Sequence, residues 1–298
     1  MKTRKRSFKE ETPIHVYEKG DKGHVLFYLP EDYILYFTLH SCVCRARGVK
    51  TLMFCLMPNH VHSSETAEDI KSLVDCHRDI ESKYAIAYNL EHKRKGRIFN
   101  KSFGSAVKPV GKRIRDNLSY IANNPVVGNL SSDITDYRWN LLAYKNCKSP
   151  FSTHGKPSSA LRKSMRLVNE LRKMDKPLTY GFQRRIFRDL SYNEKKYLGD
   201  YIISKYNFVD YEALAGYYGS FENALNSIRA NSGSEYDIKE DWEDYSVYPK
   251  MTLICKSQDI DMSKVNFKEL PPAMIDNLKS RFKVTGASER QIEKFLQL

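Results

Sequence analysis

The chain has 298 residues, 41% of them hydrophobic and 12% aromatic, with a formal net charge of +13 and a pI near 9.3. These proportions are ordinary for a globular protein and exclude a fibrous or low-complexity chain, and the length allows a sizeable core and two domains. The positive charge indicates a polyanionic partner, with nucleic acid as the first choice and an acidic membrane surface as the second.

The positive charge is concentrated in the first half of the chain. Residues 1–150 contain 25 Lys/Arg against 16 Asp/Glu, whereas the remainder contains 24 against 20. We therefore expect the N-terminal half to face the polyanion.

Cysteine usage and the N-terminal sequence indicate the compartment. The six cysteines are scattered without a CxxC pair, which predicts reduced, packed thiols. The basic start MKTRKRSFKEE lacks the apolar stretch of a signal peptide, and no apolar run reaches the length of a membrane span. The sequence therefore predicts a cytoplasmic protein, either a monomer or a homodimer.

Strand-like and helix-like patterns alternate over the first hundred residues. Short apolar runs between turn residues predict strands, and apolar residues at helical spacing predict helices. The predicted elements are, in order, strands at 14–17 and 24–28, a helix at 31–47, a strand at 51–57 and a helix at about 67–88. This order is typical of an α+β fold in which helices cover one sheet.

A His-x-His pair follows the apolar strand at 51–57. The strand leads through Pro58-Asn59 into His60-Val61-His62. Successive side chains of an extended chain alternate between faces, so His60 and His62 point the same way and are able to share a metal ion. A single pair of this kind is also compatible with two idle strand histidines.

A strongly basic segment extends from His92 to Arg115 and contains no acidic residue. Phe99 and Phe103 interleave with the charges, which predicts base-stacking surfaces beside phosphate-pairing groups. We favour nucleic-acid contact over an ordinary solvated surface. The predicted contact residues are Lys93, Arg94, Lys95, Arg97, Lys101, Lys108, Lys112, Arg113 and Arg115.

The next predicted helix starts near Lys112 and includes the sequence RIRDNLSYIANNPV. Tyr120 and Asn124 are four residues apart and therefore lie on one helix face, and Pro125 marks the end of the helix or a break just after it.

Together, MPNHVH, GRIFNKSFGSAVK and YIANNPV resemble the single-tyrosine HUH transposases, and among these the REP-associated tyrosine transposases, over roughly residues 10–150 including DYRWNLLAY. The resemblance implies an antiparallel, ferredoxin-like sheet with helices on one side. It also implies Tyr120 as the nucleophile, and His60, His62 and Asn124 as ligands of a divalent metal, Mg²⁺ or Mn²⁺. The implied reaction is cleavage and rejoining of single-stranded or hairpin DNA through a 5′-phosphotyrosine link.

The chain after His62 departs from the family pattern. Relatives continue as an apolar strand, whereas Ser63-Ser64-Glu65-Thr66 is polar and predicts a shortened strand with a shifted register. We interpret Glu65 as an acid at the start of the next helix rather than as an extra ligand. Two alternatives remain open: a catalytically inactive DNA-binding protein derived from such a transposase, and an RNA-binding module of similar topology.

The second half is predicted to be mainly helical. We expect a catalytic domain at 1–149, a polar linker at 150–159 and a helical region at 160–298. Within the latter, 271–298 resembles a helix-turn-helix in which Ser288 caps the second helix, and which presents Arg290, Gln291 and Lys294 to DNA. Two helices packed at the end of the chain would give the same pattern.

Overall fold

The computed structural model describes residues 7–100, 102–153, 155–231 and 242–298; the predicted contact residue Lys101 lies outside them. The N-terminal part contains a four-stranded antiparallel sheet with helices, and a mainly helical region follows it. In chain order the described elements are β1 (Ile14–Lys19), α1 (Pro30–Arg47), β2 (Lys50–Met57), β3 (His60–Thr66), α2 (Ile70–Glu91), β4 (Gly104–Val107), α3 (Gly111–Val127), α4 (Ser159–Lys173), α5 (Tyr180–Phe187), α6 (Tyr192–Tyr206), α7 (Tyr211–Gly216), α8 (Phe221–Ala230), α9 (Val247–Ser257), α10 (Pro272–Lys283) and α11 (Glu289–Leu296).

The strands are arranged in the order β2-β3-β1-β4, so β3 pairs with neighbours on both sides. A two-residue turn, Pro58-Asn59, joins β2 to β3, and Met57 pairs with His60 across it. Such short turns fix the register of a hairpin. The register of β3 therefore determines the direction of the histidines that begin it.

The predicted strand at 24–28 is wrong. This segment follows a short 3₁₀ helix, Asp21–Gly23, and crosses the β2–β3 turn, where the backbone N–H groups of Leu26 and Phe27 both donate to the carbonyl of Pro58. Leu26 and Phe27 are nevertheless buried. The apolar run thus reflects burial of a connecting segment. An apolar pattern alone does not distinguish such a buried connection from a strand.

The predicted shortening after His62 is also wrong. β3 continues to Thr66 and pairs with β1 without interruption, from Lys19 opposite His60 to Ile14 opposite Glu65. Ser63, Ser64 and Glu65 are buried in the strand. Glu65 therefore does not start the next helix; Asp69 caps α2 instead, by accepting a hydrogen bond from the backbone of Ser72.

The two faces of the sheet are covered by different helices. α1 and α2 pack against the face that carries Glu18 and Glu65, where the hydroxyl of Tyr36 in α1 donates to Glu18 and His77 in α2 contacts both carboxylates. α3 contacts β2 and β3, and its residue Tyr120 lies on the opposite face. α3 continues for two residues past Pro125, to Val127.

The helical region packs directly on the N-terminal part. Ser41 in α1 donates to the carbonyl of Tyr206, and Tyr180 in α5 donates to Asp32 at the start of α1. The segment predicted as a linker also makes contacts, since both the backbone N–H of Phe151 and the hydroxyl of Ser152 donate to Asp200 in α6. Within the described residues, no helix is both long enough and apolar enough to cross a bilayer.

The last two helices follow the predicted caps but not the predicted exposure. Ser288 and Gln291 form a reciprocal capping box at the start of α11. Gln291 and Lys294 face inward, however, because Gln291 donates to the carbonyl of Asp244 and Lys294 pairs with Glu243. Neither is presented to DNA as the helix-turn-helix prediction requires. Arg290 lies on the exposed side, so its DNA contact stays a prediction.

A candidate active site at the histidine pair

His60 and His62 lie on one face of the sheet with their ring centroids 4.8 Å apart. The register explains this arrangement, because His60 lies opposite Met57 and Lys19, and His62 lies opposite Cys55 and Tyr17. Residues two apart in a strand share a face. The hairpin therefore brings the two imidazoles together.

The hydrogen bond to His60 fixes its tautomer. Its Nδ1 lies 2.7 Å from Oδ1 of Asn59, and the amide orientation is set by Asn59 Nδ2, which donates to the carbonyl of Gly23. An amide oxygen only accepts, so Nδ1 of His60 carries the proton. The lone pair of this ring is then on Nε2, as in most metal-ligating histidines, which donate their other N–H to an oxygen.

A third histidine, His15 in β1, orients His62. Nε2 of His15 lies 2.9 Å from Nδ1 of His62. When His62 donates this hydrogen bond, its Nε2 carries the lone pair, in the same state as that of His60. His15 was not singled out from the sequence, because it is 47 residues before His62. The β1–β3 register brings it there.

Tyr120 lies beside this group. Ile114, Leu118 and Ile121 bury one stripe of α3, as its spacing predicts. The Tyr120 ring, which is only partly buried, lies 5.5 Å from the His62 ring and 5.9 Å from the His15 ring.

Asn124 occupies the next turn of α3 on the same face. Its side-chain Nδ2 donates to the carbonyl of Tyr120, 2.9 Å away, rather than to a histidine. The structure thus brings Tyr120 to His62 and His15. Asn124 contacts the Tyr120 backbone through Nδ2, and its Oδ1 is not used in that hydrogen bond.

These residues have the donor chemistry of a divalent-metal site. Two imidazoles share one sheet face, and α3 carries an amide side chain one turn after Tyr120; nitrogen and oxygen donors of this kind suit Mn²⁺ and Mg²⁺ and also accept zinc. The Asn59 and His15 hydrogen bonds supply the outer support that metal-binding histidines usually have.

The C-terminal region covers the histidine pair. His60 and His62 are 1% and 0% exposed, and the Tyr245 ring lies 5.4 Å from that of His60. The backbone N–H of Tyr245 donates to the carbonyl of Gly128, where an added Cβ would approach the Tyr245 ring to 2.6 Å. Both imidazoles are therefore closed off from solvent, and the Tyr245 ring is part of what covers His60.

The basic residues predicted to contact DNA differ in exposure. Arg94 is half-buried over the Tyr88 ring, and Lys108 is 4% exposed, which excludes it from a DNA-facing surface. Phe99 and Phe103 are also buried, against Tyr84 and His77 respectively, so the predicted stacking surfaces are wrong. The exposed members are Lys93, Lys95, Arg97, Lys112, Arg113 and Arg115.

No known protein-family profile matches the chain, and no curated protein sequence matches it. Among solved structures, the chain is similar to a REP-associated tyrosine transposase bound to a REP hairpin, with 15% identity and a TM-score of 0.43. The alignment covers 53% of this chain and 94% of that one. At this identity and score, function is inferred from the site itself.

Proposed function

We propose that the chain is a metal-dependent single-tyrosine DNA transposase that cuts and rejoins single-stranded DNA. The observation that carries the proposal is the position of the Tyr120 ring beside His62, on the sheet face shared by His60 and His62. A nucleophile next to a pair of metal-ligating imidazoles is the arrangement that phosphoryl transfer to a side chain requires.

In the proposed reaction, the Tyr120 oxygen forms a bond to phosphorus and the bond from phosphorus to the 3′-oxygen breaks. The phenol loses a proton and the leaving oxygen gains one, so the products are a 5′-phosphotyrosine and a free 3′-hydroxyl. Attack by a 3′-hydroxyl on the phosphotyrosine reverses the step without an external energy source. The reaction is transesterification rather than hydrolysis.

His60, His62 and Asn124 are the proposed ligands of Mg²⁺ or Mn²⁺, which would polarise the phosphate. His15 holds His62 in the required tautomer, and Asn59 does the same for His60. Arg113 precedes Tyr120 by two helical turns and therefore lies on the same face of α3, roughly 10 Å along the axis, where it meets a phosphate further along the strand.

The test is covalent capture of DNA. The full chain is incubated with 5′- and 3′-labelled hairpin DNA that carries single-stranded flanks, with and without Mn²⁺, and resolved on a denaturing gel. We expect a Mn²⁺-dependent adduct that retains only the 3′-side label. Tyr120→Phe should abolish it, whereas Tyr17→Phe should retain it, because Tyr17 lies on the same face opposite His62 but packs on Gly104.

The burial of both imidazoles favours a second candidate, a DNA-binding protein that does not cut. It predicts hairpin binding that is indifferent to chelators and to Tyr120→Phe, with no adduct on any substrate. An adduct that persists in Tyr120→Phe would contradict the assigned nucleophile.

A further inference from the structure

A second group of metal-ligating side chains lies on the other face of the sheet. His40 and Cys44, one turn apart in α1, converge with Glu65 of β3, and their ligand atoms all lie within 4.8 Å of one another. We call these three residues the inner cluster. They lie between the sheet and the helices α1 and α2, away from Tyr120.

The hydrogen bonds of the inner cluster are incomplete. Oε2 of Glu65 contacts Nε2 of His77 at 2.7 Å. Oε1 of Glu65 lies 3.1 Å from Nε2 of His40, but in the described part of the chain neither atom makes a hydrogen bond of acceptable geometry. Both residues are 0% exposed. The two atoms are at ion-pair distance but are not well hydrogen-bonded, and an ion bound between them would complete their coordination.

We propose that the inner cluster binds a structural zinc ion. Imidazole, thiolate and carboxylate are the three ligand types that zinc takes in proteins. Two such nitrogen and oxygen ligands on a tetrahedral ion are about 3.3 Å apart, close to the 3.1 Å between His40 and Glu65. Cys76 of α2 is the nearest further donor, since its sulfur lies 3.5 Å from that of Cys44, against roughly 3.8 Å for two zinc-bound thiolates.

The surrounding groups form the outer support that a metal site needs. His77 connects Glu65 to Glu18, with its Nδ1 2.7 Å from the Glu18 carboxylate, and the hydroxyl of Tyr36 donates to the same carboxylate. This series of hydrogen bonds orients Glu65 through Oε2, the carboxylate oxygen that does not face His40. Two buried carboxylates share one imidazole here, and a divalent cation offsets the remaining negative charge.

A zinc ion at the inner cluster would link α1 to β3, the strand that begins with His60 and His62. Zinc binding at this point does not depend on DNA cleavage. The inner cluster lies on the opposite face of β3 from the histidine pair. His62 and Ser64 point to one face of the strand, and Glu65, the next residue, points to the other. The two sites are therefore separable by mutation.

The experiment measures zinc in the full chain carrying His60→Ala and His62→Ala, so that the histidine pair contributes no metal. After loading with zinc and removal of free ion, we expect one zinc per chain by elemental analysis. Adding Cys44→Ser should lower zinc affinity at least about tenfold, since loss of even an outer partner of a metal ligand costs that much. Cys42→Ser is the matched control, two residues earlier in α1 and also buried.

Cobalt provides a readout that a packing defect does not mimic. Co²⁺ loaded in place of zinc should give thiolate-to-metal charge-transfer absorption in the Cys42→Ser protein and at most about half of it in the Cys44→Ser protein, in which Cys76 is the remaining thiolate. Circular dichroism verifies that both remain folded. Equal zinc affinity in the two variants, no zinc in the His60→Ala, His62→Ala protein, or a Cys44–Cys76 disulfide that excludes zinc would each overturn the proposal.

Discussion

The imidazoles of His15 and His62 lie side by side across two paired strands, with Nε2 of His15 2.9 Å from Nδ1 of His62. His15 also lies 5.9 Å from the Tyr120 ring, so it contacts both the proposed ligand and the proposed nucleophile. In the proposed reaction His15 would orient His62 through this hydrogen bond without itself binding the metal.

We expect His15→Ala to weaken metal use more than it weakens DNA binding. Loss of an outer partner of a metal-binding histidine typically costs roughly 10–100-fold in metal affinity or activity. The measurement is the Mn²⁺ concentration that gives half-maximal adduct formation, together with hairpin affinity in the presence of a chelator. His15→Gln, whose amide is able to accept the hydrogen bond from His62, should recover part of the loss. An unchanged Mn²⁺ requirement in His15→Ala would remove His15 from the site.

Local patterns predict much of the fold and the shared face of His60 and His62. Turn, cap and stripe signals correctly predict α1, β2 and the capping box of α11. His60 and His62 share a face because alternation in a strand is a local rule. His15 and the inner cluster depend on pairing between distant segments, which no local pattern encodes.

Burial caused the remaining errors. Phe99 and Phe103 have the sequence context of stacking residues, yet they fill the core between the sheet and α2. Glu65 looks like a helix-starting acid, yet it lies in a strand because His77 and His40 accompany it in the interior. A buried carboxylate of this kind is stable only with such partners, and the partners come from two helices.

Arg113→Ala should weaken single-stranded DNA binding and lessen its salt dependence. Each phosphate contact on a single strand contributes roughly 0.7 to the slope of log affinity against log salt. We expect the slope to fall by about this amount while any sequence preference is retained. Arg166→Ala is the matched control, because Arg166 is also exposed but lies on α4. Equal slopes for the two variants would exclude Arg113 from the DNA path.

The ion pair between Asp133 and Arg229 should make stability depend on acid pH. Arg229 donates to both carboxylate oxygens, at 2.7 and 2.9 Å, and these hydrogen bonds hold the pKa of Asp133 below its ordinary value of 3.8. Because the pKa of Asp133 is lowered by folding, the ion pair stabilises the folded state at pH values above 3.8. This stabilisation is lost as the pH falls below 3.8 toward the pKa of the folded state. Since both groups are partly exposed, we expect Asp133→Asn to cost about 0.5–1 kcal/mol at pH 7.

Urea unfolding at pH 7 and near pH 2.5 tests this expectation. The difference between Asp133→Asn and the unmodified chain should shrink at the lower pH. Arg229→Ala should behave similarly, and the double variant should lose little more than either single one. A difference that stays constant with pH would mean that Asp133 acts through its hydrogen bonds to Thr135 rather than through its charge.

Tyr245 covers the proposed active site, and its removal should increase the rate of DNA cleavage. The ring lies against His60, and its segment is attached to the end of α3 by two hydrogen bonds, from Tyr245 to Gly128 and from the Trp242 indole to Val127. If opening of this segment precedes phosphate entry, Tyr245→Ala raises the population of open molecules and therefore the rate of adduct formation. We expect the rate to rise several-fold. Loss of one buried ring contact destabilises the closed state relative to the open state by about 1 kcal/mol.

The matched control is Tyr192→Ala, which removes an exposed ring from α6 without touching the site. Hairpin affinity measured with a chelator should be similar in both variants, so a faster Tyr245→Ala reaction would report access to the histidines rather than DNA binding. A slower reaction would instead indicate that the Tyr245 ring helps to position the DNA strand. If the ring only covered the site, its removal would not slow cleavage.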